Sequence, residues 1–180
     1  MNFKTTRLKG AFLIEPERIK DNRGFVSRLF SNKEFQQTEI NMQITESLLS
    51  QNKLKGTIRG MHYQQYPFEQ AKLVRCVKGS IYAVIIDIRE YSPTRFEWYG
   101  KKLTAKNHSM LYAPKGFAHG FQTLEDDTVV EYLIEGEYNP SSGRGLLWKD
   151  PRVGIKWPIT KNVILSTKDT NYALLVEEKC

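Results

Sequence analysis

Apolar positions recur along most of this chain with a period of two rather than the 3.6 of an amphipathic helix. Strands are predicted over residues 57–63, 72–77, 81–88, 109–113, 117–124 and 128–135, each bounded by Gly, Pro, Asn or Asp. A short run over 25–30, after the turn Asp21-Asn22-Arg23-Gly24, and a longer one over 95–104 complete the set. Residues 81–88 are apolar on both faces except at Asp87, the pattern of a strand between two packed layers. Lys78-Gly79-Ser80, between two of these runs, carries a hairpin signature. The best helical segment is 32–39, with Ser31 or Asn32 as cap and Glu34 in its first turn. Residues 151–180 read as an irregular tail with a short helix after Ser166, anchored by Trp148 and Trp157. Closely spaced short strands argue for an all-β sandwich or barrel with few short helices.

Composition narrows this picture. The 180 residues suit one domain, and no linker, repeat or low-complexity segment divides them. Aromatics at 12% fit an all-β fold with an aromatic-lined cavity. Residues 1–9 carry charge with no apolar run behind them, so neither a signal peptide nor a membrane span is expected, and the cytoplasm is the default location. The net charge of +7 comes from Lys and Arg scattered over the whole chain. Scattered charge is a solvated surface, compatible with a pocket for a diphosphate. There is no basic patch with interleaved aromatics, so no nucleic-acid partner is expected. Asn107-His108-Ser109 matches a glycosylation acceptor, which without a signal peptide is a chance match. Cys76 lies inside a strand-like run and Cys180 ends the chain; neither has an activating context, and two cysteines make no disulfide framework.

Three histidines are available for chemistry. His62 sits in Arg59-Gly60-Met61-His62, His119 in Gly116-Phe117-Ala118-His119-Gly120-Phe121, and His108 in a polar turn where exposure is expected. Strict alternation puts Arg59 and His62 on opposite faces of a strand, and a bulge at Gly60 would bring them together. A hydrogen-bonded core histidine also fits His62, and a loop histidine packed between aromatics fits His119. A mononuclear metal site would pair two histidines two residues apart with a nearby glutamate, but His62 is followed by Gln64. Gly143-Arg144-Gly145 lacks the strand–turn–helix setting of a phosphate-binding loop, and no Gly-x-Ser-x-Gly occurs.

Taken as an ordered set, the motifs resemble the dTDP-4-dehydrorhamnose 3,5-epimerase family. They are DNRGF (21–25), RGMHYQ (59–64), QAKLVR (70–75), DIREYSPT (87–94), PKGFAHGF (114–121), Tyr132 with EYNP (137–140), WKDP (148–151), IKWP (155–158) and LSTKD (165–169). The resemblance implies a cupin-type double-stranded β-helix, a jelly roll, working as a homodimer without metal or cofactor. It implies a nucleotide-diphosphate-linked 4-keto-6-deoxyhexose as substrate and inversion of C3, C5 or both. His62 matches the family's base, Asp169 its carboxylate partner, Lys72 the cation beside the C4 oxygen, and Tyr132 the acid on the opposite face. Arg23 and Arg59 match diphosphate-binding positions, Tyr138 an aromatic beside the nucleoside, and His119 a group that orients the sugar. Gln70 and Arg28 complete the implied substrate-binding set.

The chain departs from the family pattern at Arg28, Leu48, Ser50, Ala83 and Gly143. One reading is a kept acid–base apparatus with a changed nucleotide end, taking cytosine or guanine. The other is drift in residues behind the pocket with the usual dTDP substrate. A 3,4-ketoisomerase and a non-catalytic sugar-nucleotide-binding module are the alternatives from other classes.

Overall fold

The structure, a computed structural model, describes residues 1–175; Cys180 lies outside them. Thirteen strands run as β1 (Asn2–Thr5), β2 (Phe12–Glu15), β3 (Ile19–Asp21), β4 (Gly24–Val26), β5 (Glu46–Asn52), β6 (Ile58–Gln64), β7 (Ala71–Lys78), β8 (Ser80–Asp87), β9 (Trp98–Thr104), β10 (Met110–Ala113), β11 (Phe117–Thr123), β12 (Thr128–Glu135) and β13 (Gly143–Gly145). Two short helices, α1 (Asn32–Gln36) and α2 (Thr167–Thr170), interrupt them. One sheet has the order β1-β2-β10-β7-β12-β5, the facing sheet β13-β6-β11-β8-β9, and β3-β4 forms a separate hairpin. This is the cupin-type jelly roll.

Period-two alternation explains how three clusters of buried side chains arise. On β7, Val74 and Cys76 point between the sheets, where they meet Ala83, Ile85, Phe121 and Val130. Ala71 and Leu73 of the same strand point outward, under Phe35 of α1 and Ile40. Ile58, Met61, Val84, Ile86 and Ala118 form the outer face of the other sheet, covered by Val153 and Trp157 of the tail. The Trp157 Nε1 donates to the Trp148 carbonyl at 2.7 Å, so the two tryptophans do tie the tail down. Buried Asp150 adds a second clamp, accepting from the Arg152 amide at 2.9 Å and the Leu175 amide at 2.7 Å.

Several expectations need correction. Lys78-Gly79-Ser80 is not a hairpin: β7 and β8 belong to different sheets, and Gly79 (φ +77°) turns the chain across the barrel. The strand expected over 95–104 begins at Trp98, because Phe96 (φ +66°) turns back to donate to the Asp87 carbonyl at 2.7 Å. The run over 25–30 is strand only to Val26, and the helix over 32–39 ends at Gln36, with Glu39 at φ +63°. Ser31 occupies the cap position of α1 without a side-chain cap bond. His108 is half-buried rather than exposed, its ring edge-on to Phe25 at 5.2 Å.

Candidate active site

The barrel interior opens at one end into a cavity of about 570 Å³. A local irregularity in β6 builds it. His62 pairs with His119 and Arg59 with Phe121, so three steps along β6 match two along β11. The extra residue lies at Gly60-Met61, opposite Gly120. Ile58 and Met61 stay in the outer cluster, while Arg59 and His62 both line the cavity. Only glycine permits this crossing. Gly60 has φ +139°, and a Cβ there would lie 2.6 Å from the Gly120 Cα; one on Gly120 would lie 2.5 Å from the Met61 Sδ.

Asp169 comes from the tail. Ser166 caps α2, its Oγ accepting from the Asp169 amide at 3.1 Å. The Asp169 Oδ1 then accepts from the His62 Nε2 at 2.6 Å, and its Oδ2 faces the Gly60 amide at 3.4 Å. Burial pushes the Asp169 carboxyl up, but the His62 ring, the Gly60 amide and the Ser166 side chain outweigh that and hold it below the usual range. A carboxylate accepts only, so the Nε2 carries its proton and the Nδ1 keeps a free lone pair. The side chain of Asp169 is 5% exposed and that of His62 40%: a sealed carboxylate behind an imidazole open to the cavity.

Lys72 projects inward from β7, two residues before Val74. Among the described residues no carboxylate pairs with its ammonium, and burial lowers its pKa to about 8. His119 is buried on β11 facing His62; burial, with the charges of Lys72 and His62, holds its pKa well below normal, so it is neutral. Its Nε2 has no hydrogen-bond partner among the described residues. Tyr132 on β12 stands edge-on to the His119 ring at 5.6 Å. Burial raises the Tyr132 hydroxyl strongly, with Arg59 partly opposing, so the phenol keeps its proton. Arg59 is aimed by buried Asn52, whose Oδ1 accepts from the Arg59 Nε at 2.7 Å. The arrangement offers a base with an oriented tautomer and an unpaired cation on the cavity, with a protonated phenol packed behind it.

A family model described as dTDP-4-dehydrorhamnose 3,5-epimerase matches residues 5–177. The chain belongs to the dTDP-4-dehydrorhamnose 3,5-epimerase family. It is 38% identical over 177 residues to the dTDP-4-dehydrorhamnose 3,5-epimerase of Sinorhizobium fredii, covering 98% of this chain and 91% of that one. The crystal structure of the Bacillus anthracis enzyme with TDP and PPi bound superposes with a TM-score of 0.93 at 39% identity, covering 97% of this chain and 99% of that one. ChmJ, a 3'-monoepimerase from Streptomyces bikiniensis in complex with dTDP-quinovose, gives a TM-score of 0.87 at 29% identity, covering 94% and 85%. The chain is thus an isomerase, a carbohydrate epimerase, rather than a ketoisomerase or a binding module.

Within one epimerase chain the cavity gathers His62, Lys72, Asp169, Arg59, Gln70 and Tyr138, with Tyr132 and His119 packed behind it. It does not gather Arg23 or Arg28. Arg23 sits at the tip of the β3–β4 hairpin, 83% exposed and paired with Asp21. Arg28 pairs with Glu34 at 2.9 Å beside the Met1 amine. Of the other departures, Leu48 and Gly143 line the cavity, Ser50 does not, and Ala83 is sealed in the inter-sheet core. Sequence reasoning missed Glu46, Asn52, Arg144, Lys168 and Tyr172. Alternation from Leu48 along β5 would have placed Glu46 and Asn52 on the same face; nothing in the sequence marked the others. Asp87 proves structural: it is fully buried and accepts from the Arg89 Nη2 at 2.6 Å, the Ser92 Oγ at 2.5 Å and the Thr94 Oγ1 at 2.7 Å. A larger cleft of about 900 Å³ outside the barrel shares Tyr63 and Gln64 with the cavity but holds none of His62, Lys72 or Asp169. Among the described residues no group of three or more His, Cys, Asp or Glu could hold a metal ion, and no helix is long and apolar enough to cross a membrane.

Proposed function

We propose that this epimerase acts on a dTDP-linked 4-keto-6-deoxyhexose, inverting C5 and C3 by removing and returning protons beside the C4 ketone. The observation that carries the reading is the His62–Asp169 pair at 2.6 Å, open to the cavity on its imidazole side only. In this reading the His62 Nδ1 takes the proton from the ring carbon, and the imidazolium so formed is stabilised by Asp169. Lys72 faces the C4 oxygen, where negative charge develops in the enolate, and a fixed cation in a dry site does most there. Neutral His119 donates or accepts beside it. Tyr132 returns a proton to the opposite face; without a second face the enolate regains its starting configuration. Arg59 binds the diphosphate with the two guanidinium nitrogens that Asn52 leaves free. Tyr138, 65% exposed at the cavity rim, stacks beside the base.

The dTDP assignment is supported by where the departures fall, since only Leu48 and Gly143 touch the cavity. Inversion at both centres is supported by the higher identity to 3,5-epimerases, 38% and 39%, than to the monoepimerase, 29%. The protein works as a homodimer in this reading. The β3–β4 hairpin stands off the barrel with Ile19 77% and Val26 69% exposed, and β5 presents Leu49 at 70%. A second copy would cover these side chains and bring Arg23 and Arg28 to its partner's cavity. The cytoplasm, where sugar nucleotides are made, is the compartment this implies.

The test offers the dTDP, CDP and GDP forms of 4-keto-6-deoxyglucose in deuterated water and follows C3 and C5 by NMR. Deuterium at both carbons, with the dTDP compound processed at least about tenfold faster, is expected; tenfold corresponds to about 1.4 kcal/mol. A preference for CDP or GDP, or exchange confined to one carbon, would overturn the assignment.

A further inference from the structure

Asp169 reaches His62 from a helix that has little to hold it. The four residues of α2 are too few to be stable alone, and the one side chain they bury is Asp169 itself. The chain before α2 is fastened at Ile164, which accepts from the Ile58 amide at 2.8 Å; the chain after it is fastened at Leu175, on Asp150. Tyr172 lies between these ties, just past the end of α2, and lines the same cavity as Asp169. The hydroxyl-bearing end of its ring packs on Gly145 of β13, so closely that a Cβ on Gly145 would clash with the ring carbons Cε2, Cζ and Cε1. Gly145 is the residue paired with His62 across β13 and β6. The same ring stands edge-on to the His62 imidazole, with centroids 6.0 Å apart at 68°. One side chain therefore registers α2 against both the strand next to His62 and His62 itself. The hydroxyl plays no part in this: the Tyr172 Oη is buried and has no hydrogen-bond partner among the described residues.

We infer that Tyr172 is a positioning residue, its ring locking α2 onto Gly145 so that Asp169 meets the His62 Nε2. The inference rests on the proposed reading of His62 and Asp169 as the acid–base pair. Tyr172 acts through Asp169 and takes no proton of its own. The ring is bulky, the facing residue has no side chain, and the two make a complementary pair. Gly145 has no positive φ, and the three atoms nearest to an alanine methyl there all belong to the ring.

The test is a mutant set read by steady-state kinetics and by C5 deuterium exchange on the dTDP-linked 4-keto sugar, with thermal melting to confirm folding. Tyr172→Phe keeps the ring and is expected to stay within about twofold of the parent. Tyr172→Ala is expected to lose roughly 10- to 100-fold in kcat, as a misplaced catalytic group does, with KM little changed. Gly145→Ala expels the ring from the other side and should copy that loss; combining it with Tyr172→Ala should cost nothing further, because the methyl then enters vacated space. In an Asp169→Ala background, which removes the group that Tyr172 positions, Tyr172→Ala should have no additional effect. A loss in Tyr172→Phe equal to that in Tyr172→Ala, or losses that multiply with Asp169→Ala, would overturn the inference. If Asp169→Asn alone keeps full kcat, the underlying reading of the pair fails instead, which the single mutant reports separately.

Discussion

Replacing Asp169 by asparagine tests the acid–base reading most directly. The amide is isosteric and its oxygen can still accept from the His62 Nε2 at 2.6 Å, so the fold and the ring orientation have every reason to persist. What disappears is the negative charge facing the imidazolium that forms when the sugar proton is taken. With charge centres about 4 Å apart and an effective dielectric of about 20, that attraction is about 4 kcal/mol. The His62 side chain is 40% exposed, and water screens part of it. A value of about 1.5–3 kcal/mol, typical of a hydrogen bond to a charged group, is what remains. At about 1.4 kcal/mol per decade, kcat should fall roughly 10- to 100-fold. The assay is loss of the C5 and C3 proton signals of the dTDP-linked 4-keto sugar in deuterated water, at saturating substrate, with melting curves alongside. A kcat within about threefold of the parent, or a loss confined to KM, would refute the reasoning.

Other consequences follow from the same geometry. Tyr132→Phe should abolish inverted product by roughly 100- to 10,000-fold while deuterium exchange at the carbon facing His62 continues, because only the returning acid is lost; parallel loss of both activities would contradict the assignment. Lys72→Met should lower kcat/KM by roughly 100- to 1,000-fold yet stabilise the protein at pH 7 by about 1–3 kcal/mol, since the buried ammonium is disfavoured. The sign follows from its pKa of about 8 against an ordinary 10.5: between those values the unfolded chain holds the proton and the native one does not, so parental stability rises with pH across that window. Denaturant melts at pH 7 and pH 10 check this, and a variant less stable at pH 7 would count against it. Gly60→Ala should destabilise by about 2–4 kcal/mol through both its φ of +139° and the clash with Gly120; a denaturant midpoint equal to the parent's would show the crossing to be slack.

The inner strands were legible because each is a short apolar or alternating run bounded by turn residues: β7, β8, β11 and β12 lie within a residue or two of the expected ranges. The rim was not. β5 reads Glu-Ser-Leu-Leu-Ser-Gln-Asn, an edge strand whose residues are mostly exposed, so it lacks a buried face to create a pattern. β13 is Gly-Arg-Gly and is a strand only because β6 pairs with it. Lys78-Gly79-Ser80 has hairpin chemistry, yet in a jelly roll the same glycine turn switches sheets, a choice made by the partners rather than by the turn. At the site, Lys72 and His119 follow from alternation once neighbours are known to face inward. The approach of Asp169 to His62 spans 107 residues and is a tertiary contact. It became visible through resemblance, not through spacing. Tyr172 left no trace, since its significance depends on the missing side chain of Gly145.

The extra residue in β6 works like a frameshift within a reading frame. Upstream of it, odd positions address the cavity; downstream, even positions do. Were the same residues drawn into a straight strand, Arg59 and His62, three apart, would fall on opposite faces. One of the two would turn into the wall. The site is thus stored partly in a phase shift along one strand, which Gly60 and Gly120 hold as surely as the catalytic side chains hold the chemistry.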